Sequence, residues 1–128
     1  MKVHHTGMIV ESIEKSLQIY ETLGYVKESE IVIDTIQNNR ILFLQNAASQ
    51  HRLELIEKLN EKSSVYNFKP GLHHICYETD RDENFTDYFK SLKIGKIFTK
   101  PIAAPAIGQR LVLFAYLKDG SLVEFLLS

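Results

Sequence analysis

The sequence predicts an α+β fold of two tandem β-α-β-β-β (βαβββ) modules. Three observations carry this. The pattern His4-His5-Thr6-Gly7 near the start returns as His73-His74-Ile75-Cys76 past the middle. Each copy is followed, one module later, by a carboxylate set in an apolar run: Leu53-Glu54-Leu55-Ile56 and Val123-Glu124-Phe125-Leu126. Both halves also read as a strand, a helix and three further strands. An offset of 69 carries His5 onto His74 and Leu23 onto Leu92, and an offset of 70 carries Leu53-Glu54-Leu55 onto Val123-Glu124-Phe125. Two sheets this small cannot each bury a face alone. Paired curved mixed sheets around a shared cleft are therefore expected, and a concave surface of that kind is where a ligand binds.

In module one (residues 1–58) the apolar run at 2–10 reads as a strand. Ser12 is placed to cap a helix, and Ile13, Ser16, Leu17, Tyr20 and Leu23 follow at helical spacing. Gly24 closes the helix as a C′ glycine does. Strands are expected over Tyr25–Asp34, Arg40–Leu44 and Arg52–Glu57, with Asn38-Asn39 turning between the first two. Residues 59–70 read as a linker with a short helical turn. In module two (residues 71–128), Leu72–Thr79 is a strand. Glu83–Leu92 carries Phe85, Tyr88, Phe89 and Leu92 on one helical face. Gly95–Thr99, Arg110–Leu117 and Leu122–Leu127 are strands, and Lys118-Asp119-Gly120-Ser121 is a hairpin turn. Lys100–Gln109, with two prolines and a glycine, reads as a fixed loop that covers one mouth of the cleft.

At 128 residues the chain fits one domain, long enough to bury roughly two-thirds of the surface its unfolded form exposes. A net charge of −1 argues against nucleic acid as a partner, because neutralising phosphates needs a basic surface. The single cysteine, Cys76, cannot form an internal disulfide and sits in an apolar run as a small buried hydrophobe. No apolar stretch reaches the ~18 residues of a membrane span, and no signal-peptide pattern precedes the first strand. A cytoplasmic protein, acting on a small molecule and pairing as a homodimer, is the expectation.

Strand side chains alternate between faces. If Leu53, Leu55, Val123 and Phe125 face the helices, then Glu54 and Glu124 face the inside. A carboxylate there is costly unless it is paired or bound to a metal. Any one of the four residues alone, a strand histidine or a lone glutamate, is better explained as a satisfied core or surface group. The repeated register changes that: His5, Glu54, His74 and Glu124 supply two neutral nitrogen donors and two carboxylates to one divalent cation. Nickel, cobalt, zinc and manganese all suit such a mixed set, so the cleft is expected to bind metal. His51 has no twin and reads as a surface residue.

These segments resemble the vicinal oxygen chelate superfamily, which includes glyoxalase I, methylmalonyl-CoA epimerase, extradiol dioxygenases, and fosfomycin and bleomycin resistance proteins. The resemblance spans nearly the whole chain. It rests on His5-Thr6-Gly7-Met8-Ile9-Val10, Tyr20-Glu21-Thr22-Leu23-Gly24-Tyr25, Leu53-Glu54-Leu55-Ile56, Gly71-Leu72-His73-His74-Ile75-Cys76 and Gly120-Ser121-Leu122-Val123-Glu124-Phe125. The Gly-Leu-His-His-Ile-Cys segment looks most like the methylmalonyl-CoA epimerase and glyoxalase I branch. The resemblance implies that His5, Glu54, His74 and Glu124 hold the metal. It also implies a lyase or isomerase that takes a proton alpha to a carbonyl through a metal-stabilised enediolate. Glu124 is the first candidate for the base and Glu54 the second, with Arg40 and Arg110 as candidates to hold an anionic substrate group. Where the epimerases have a further glutamate taken as a base, this chain has Arg40 nearby. Two alternatives of the same fold are a metal-independent antibiotic-binding resistance protein and a metal-dependent transferase acting on epoxides. The latter carries a potassium loop that this sequence does not show.

Overall fold

A computed structural model describes residues 1–81 and 84–127. The chain forms two compact units, one of residues 5–73 and one of residues 1–4 with 74–128.

The first unit contains β1 (Lys2–Ile9, which begins in the other unit), α1 (Ile13–Thr22), β2 (Tyr25–Lys27), β3 (Val32–Asp34), β4 (Asn39–Asn46) and β5 (Arg52–Lys58). Its strand order is β2-β4-β5-β1, with β3 also on β4. β1 runs parallel to β5, with Gly7 opposite Glu54; β4 runs antiparallel to β5 and to β2 and β3. The sheet is therefore mixed. Ser12 caps α1 as expected, its Oγ accepting from the Lys15 N–H at 3.3 Å. Glu57 adds a second cap, accepting from the Ile13 N–H at 2.8 Å. Gly24 leaves the helix at φ +94°, a conformation only glycine adopts without strain. Ile13 packs with Val10, Leu42, Leu44, Leu53 and Leu55 between helix and sheet.

The second unit repeats the plan with β6 (Gly71–Glu78, which begins in the first unit), α2 (Phe85–Leu92), β7 (Gly95–Ile97), β8 (Ile102–Ala104), a 3₁₀ turn (Pro105–Ile107), β9 (Arg110–Leu117) and β10 (Leu122–Leu126). The order is β6-β10-β9-β7, with β8 also on β9. β10 is parallel to β6, with Glu124 opposite Cys76, and antiparallel to β9. α2 lays Phe85 and Phe89 on Leu113, Ala115, Val123 and Phe125. Gly95 is required by close approach rather than by its φ. A Cβ there would lie 2.3 Å from the Tyr116 carbonyl oxygen across the strand pair.

The architecture is the α+β class expected, with two differences in detail. The run Tyr25–Asp34 is broken into β2 and β3, both of which pair with β4. The polar residues Glu28, Ser29 and Glu30 interrupt it. The expected loop Lys100–Gln109 contains a strand. Ile102–Ala104 pairs with β9, and Pro101 and Pro105 lie just outside it, where no ladder N–H is demanded of them. This segment packs Ile102, Ala104 and Ile107 on Cys76, Val112, Phe114 and Leu126. It fills part of the sheet face turned away from α2. The expected start of the second helix at Glu83 lies outside the described residues.

Candidate metal centre

Strand alternation places each candidate ligand on the face opposite its helix. In the first unit Leu53 and Leu55 join the α1 core, so Glu54 points the other way. His5 is fully buried, and its Nε2 lies 3.3 Å from Glu54 Oε1. In the second unit Val123 and Phe125 join the α2 core and Glu124 points away from it. His74 Nε2 lies 3.3 Å from Glu124 Oε1, again with both side chains buried. The same diagonal recurs. Each glutamate stands opposite the residue two places after its histidine, Gly7 in one strand and Cys76 in the other.

A phenylalanine completes each pair. Phe43 stands across the strand pair from Glu54, and Phe114 from Glu124. Each ring meets its histidine edge-on, His5–Phe43 at 5.0 Å between centroids and His74–Phe114 at 5.8 Å. Sequence reasoning missed this repeat. Its signal was present, for an offset of 71 carries Leu42-Phe43 onto Leu113-Phe114.

The donor set fits a divalent cation. With metal–nitrogen and metal–oxygen bonds near 2.1 Å, two donors on one ion lie about 3.0 Å apart at a right angle and about 3.4 Å at a tetrahedral one. A charge-assisted hydrogen bond is shorter, about 2.7–2.9 Å. The 3.3 Å separation seen in both pairs falls in the range of neighbouring ligands on one ion.

The other sequence candidates fall elsewhere. Arg40 shares its face of β4 with Leu42 and Leu44, the α1 side, opposite Glu54. Its guanidinium donates to Glu14 Oε1 at 2.7 Å and to Glu57 Oε2 at 2.9 Å. The hydrogen bond to Glu14 is the chief cause of its raised pKa, and the same bond holds the Glu14 carboxyl below its usual range. Arg40 thus ties α1 to the sheet. Arg110 lies on the same face as Phe114, but its guanidinium is 2.8 Å from Glu78 Oε2 and donates to the Leu127 carbonyl at 3.2 Å. His51, expected at the surface, is half-buried. Tyr25 Oη lies 2.6 Å from its Nδ1 and Thr6 Oγ1 2.9 Å from its Nε2. It ties β2 to the strand that carries His5.

The Arg110–Glu78 pair gives a pH-dependent test. Arg110, by hydrogen bonding, is the main cause of the lowered Glu78 pKa. A depressed folded-state pKa contributes stability above the unfolded carboxylate range, and that contribution is lost as pH falls through the folded value. Arg110→Gln is therefore expected to return the Glu78 titration toward 4.5. The variant should lose less stability than the parent between neutral and acid pH. NMR titration and urea midpoints read both effects; equal acid sensitivity would contradict the assignment.

The sequence profile described as the glyoxalase/bleomycin resistance protein/dioxygenase superfamily matches residues 4–114. The chain belongs to that superfamily. Among solved structures it is similar to methylmalonyl-CoA epimerase from Mycobacterium tuberculosis, at 19% identity and a TM-score of 0.84 over 98% of this chain and 87% of the other. A hypothetical protein from Bacillus halodurans C-125 matches at 24% identity and a TM-score of 0.85, over 99% of this chain and 94% of that one. A Streptomyces coelicolor methylmalonyl-CoA epimerase variant in complex with 2-nitronate-propionyl-CoA matches at 19% identity and 0.81, over 100% and 97%. At these identities the likeness shows the fold. Comparison with curated proteins found no match. No helix among the described residues is long and apolar enough to cross a membrane.

Proposed function

We propose that His5, Glu54, His74 and Glu124 hold a single divalent ion. On this reading the protein is a metal-dependent lyase or isomerase of the glyoxalase I or methylmalonyl-CoA epimerase type. The observation that carries the reading is the duplicated pair itself: a buried imidazole and a buried carboxylate at 3.3 Å, in the same strand register, twice in one chain. Membership of the superfamily and the fold likeness to methylmalonyl-CoA epimerases support it.

His5, Glu54, His74 and Glu124 would be the ligands. A nickel, cobalt, zinc or manganese ion held there supplies Lewis-acid polarisation of a substrate carbonyl. A carboxylate oxygen of Glu124 takes the proton from the carbon next to that carbonyl. It returns the proton to the neighbouring carbon in a glyoxalase-type isomerisation; in an epimerisation the same carbon is inverted only when the proton comes back on the face opposite the one it left. His74, 3.3 Å from Glu124 Oε1, holds that carboxylate in place. Phe114 and the buried Cys76 keep water from the base. Glu54 is the second candidate for the proton transfer.

The test is elemental analysis of protein purified without chelator or affinity-tag metal. About one ion per chain is expected. It should be lost when only one pair is broken, by His5→Ala alone or by Glu124→Ala alone, because one ion shared between pairs needs both. Metal-loaded protein should then turn over an α-ketoaldehyde hemithioacetal or interconvert acyl-CoA epimers. If nickel, cobalt, zinc and manganese are all refused, the reading fails and a metal-free binding protein of this fold takes its place.

A further inference from the structure

We propose that the second unit carries a subsite for a flat, unsaturated group of the substrate, built from Phe98 and Tyr116 beside the His74–Glu124 pair. The inference deepens the metal-centre reading and rests on it.

Strand register places these rings. Glu124 pairs across β10 and β9 with Phe114, so Phe114 and Tyr116 share the face of Glu124. Lys96 pairs with Tyr116 across β7 and β9, and Phe98, two residues on, therefore shares that face too. The Phe98 N–H donates to the Phe114 carbonyl at 3.1 Å, and Thr99 Oγ1 accepts from the Phe114 N–H at 2.9 Å. These bonds fix the chain just after β7. The Phe98 and Tyr116 rings stack at 4.9 Å with 23° between planes. Phe98 lies 6.5 Å from Phe114, which meets His74 edge-on. A run of rings thus leads from a candidate ligand out to water, where Phe98 is 52% and Tyr116 44% exposed.

Plain surface decoration does not account for this arrangement, because the first unit supplies an internal control. Glu28 occupies the place of Phe98, its N–H donating to the Phe43 carbonyl at 2.9 Å. Gln45 and Arg52 stand paired across β4 and β5, as Tyr116 and Leu122 do across β9 and β10. Arg52 Nε lies 2.9 Å from both oxygens of Glu28. The histidine, the glutamate and the phenylalanine are duplicated, whereas the rim is a polar ion pair in one unit and exposed rings in the other. Exposed, parallel aromatic area beside a reactive site is recognition surface for another π-system.

The test compares benzohydroxamate with acetohydroxamate. Both chelate a metal through the same two oxygens and differ only in the phenyl ring. On metal-loaded protein, benzohydroxamate is expected to bind at least about tenfold more tightly. Phe98→Leu with Tyr116→Leu should bring it down to the acetohydroxamate level and leave acetohydroxamate unchanged. NMR of labelled Phe98 and Tyr116 rings gives a readout independent of metal, since benzohydroxamate alone should shift them. Ring shifts in protein that refuses metal would keep the subsite and sink the metal reading. Metal uptake with equal affinity for both probes and no ring shift would overturn the subsite and spare the metal reading. Signals that move with protein concentration instead would show the rings covered by a second copy of the chain, and the proposal would fall.

Discussion

Glu124→Gln is expected to cut turnover by a factor of about 10³, within the roughly 10²–10⁴ that a positioned general base contributes. The loss corresponds to about 4 kcal/mol of transition-state stabilisation. The fold should survive it. Glutamine has the size of glutamate, and the neighbours that anchor the strand, Val123 and Phe125, sit on the opposite face in the α2 core. Glu124 is 4% exposed, and replacing a buried carboxylate by a neutral amide removes a desolvation cost. The metal-free variant should therefore match or exceed the parent in urea. Comparison with Glu54→Gln separates base from ligand. If Glu124 moves the proton, Glu54→Gln recovers turnover when metal is raised to saturation and Glu124→Gln does not. Full activity in Glu124→Gln would refute the mechanism, and recovery by excess metal in both variants would leave each glutamate a ligand only.

The four ligand candidates were legible because each glutamate is flanked by apolar residues, each histidine is the second of a His-His pair, and both patterns recur. A buried charge among leucines is informative without any knowledge of topology. The role of Arg40 was not legible, because its partners are Glu14 on α1 and Glu57 on β5. Both are brought to it only when helix and strand pack on the same face. His51 was misread for the same reason, since its ring is held by Tyr25 and Thr6, far away in sequence. The repeat was also blurred by loop lengths. The offset is 69 for the histidines, 71 for Phe43 and Phe114, and 70 for the glutamates. A search at one fixed offset finds one strand pair and misses the others. β8 escaped because prolines mark both its ends. Proline reads as a breaker, and its tolerance at the limits of a three-residue edge strand becomes visible only once β9 lies beside it.

Phe125→Ala is expected to do the reverse of Glu124→Gln, from the next position on the same strand. Phe125 is 3% exposed, with ring centroids 4.9 Å from Phe85, 5.3 Å from Phe89 and 6.3 Å from Tyr77. Truncating such a side chain costs about 3–5 kcal/mol through lost burial and an unfilled cavity, a large share of a total of about 5–15 kcal/mol. The melting temperature should fall by on the order of 10–20 °C. The cost is borne largely by α2. That helix spans only Phe85–Leu92 and has no side-chain hydrogen bond at its N-cap among the described residues, so packing rather than intrinsic helicity holds it. Glu124, by contrast, is positioned by the ladders of β10 with β6 and β9, which the truncation leaves intact. Turnover per folded molecule, measured well below the melting transition, should therefore stay within about threefold of the parent, and Phe125→Leu should recover most of the stability. Adjacent residues facing opposite ways would then separate the two tasks of the strand, one side chain holding the fold and the next doing the chemistry. A loss below about 1 kcal/mol, measured by urea denaturation, would mean that the aromatic cluster does not hold α2 on the sheet. A collapse of activity in the molecules still folded would mean that Glu124 depends on the helix-side packing and not on the ladders.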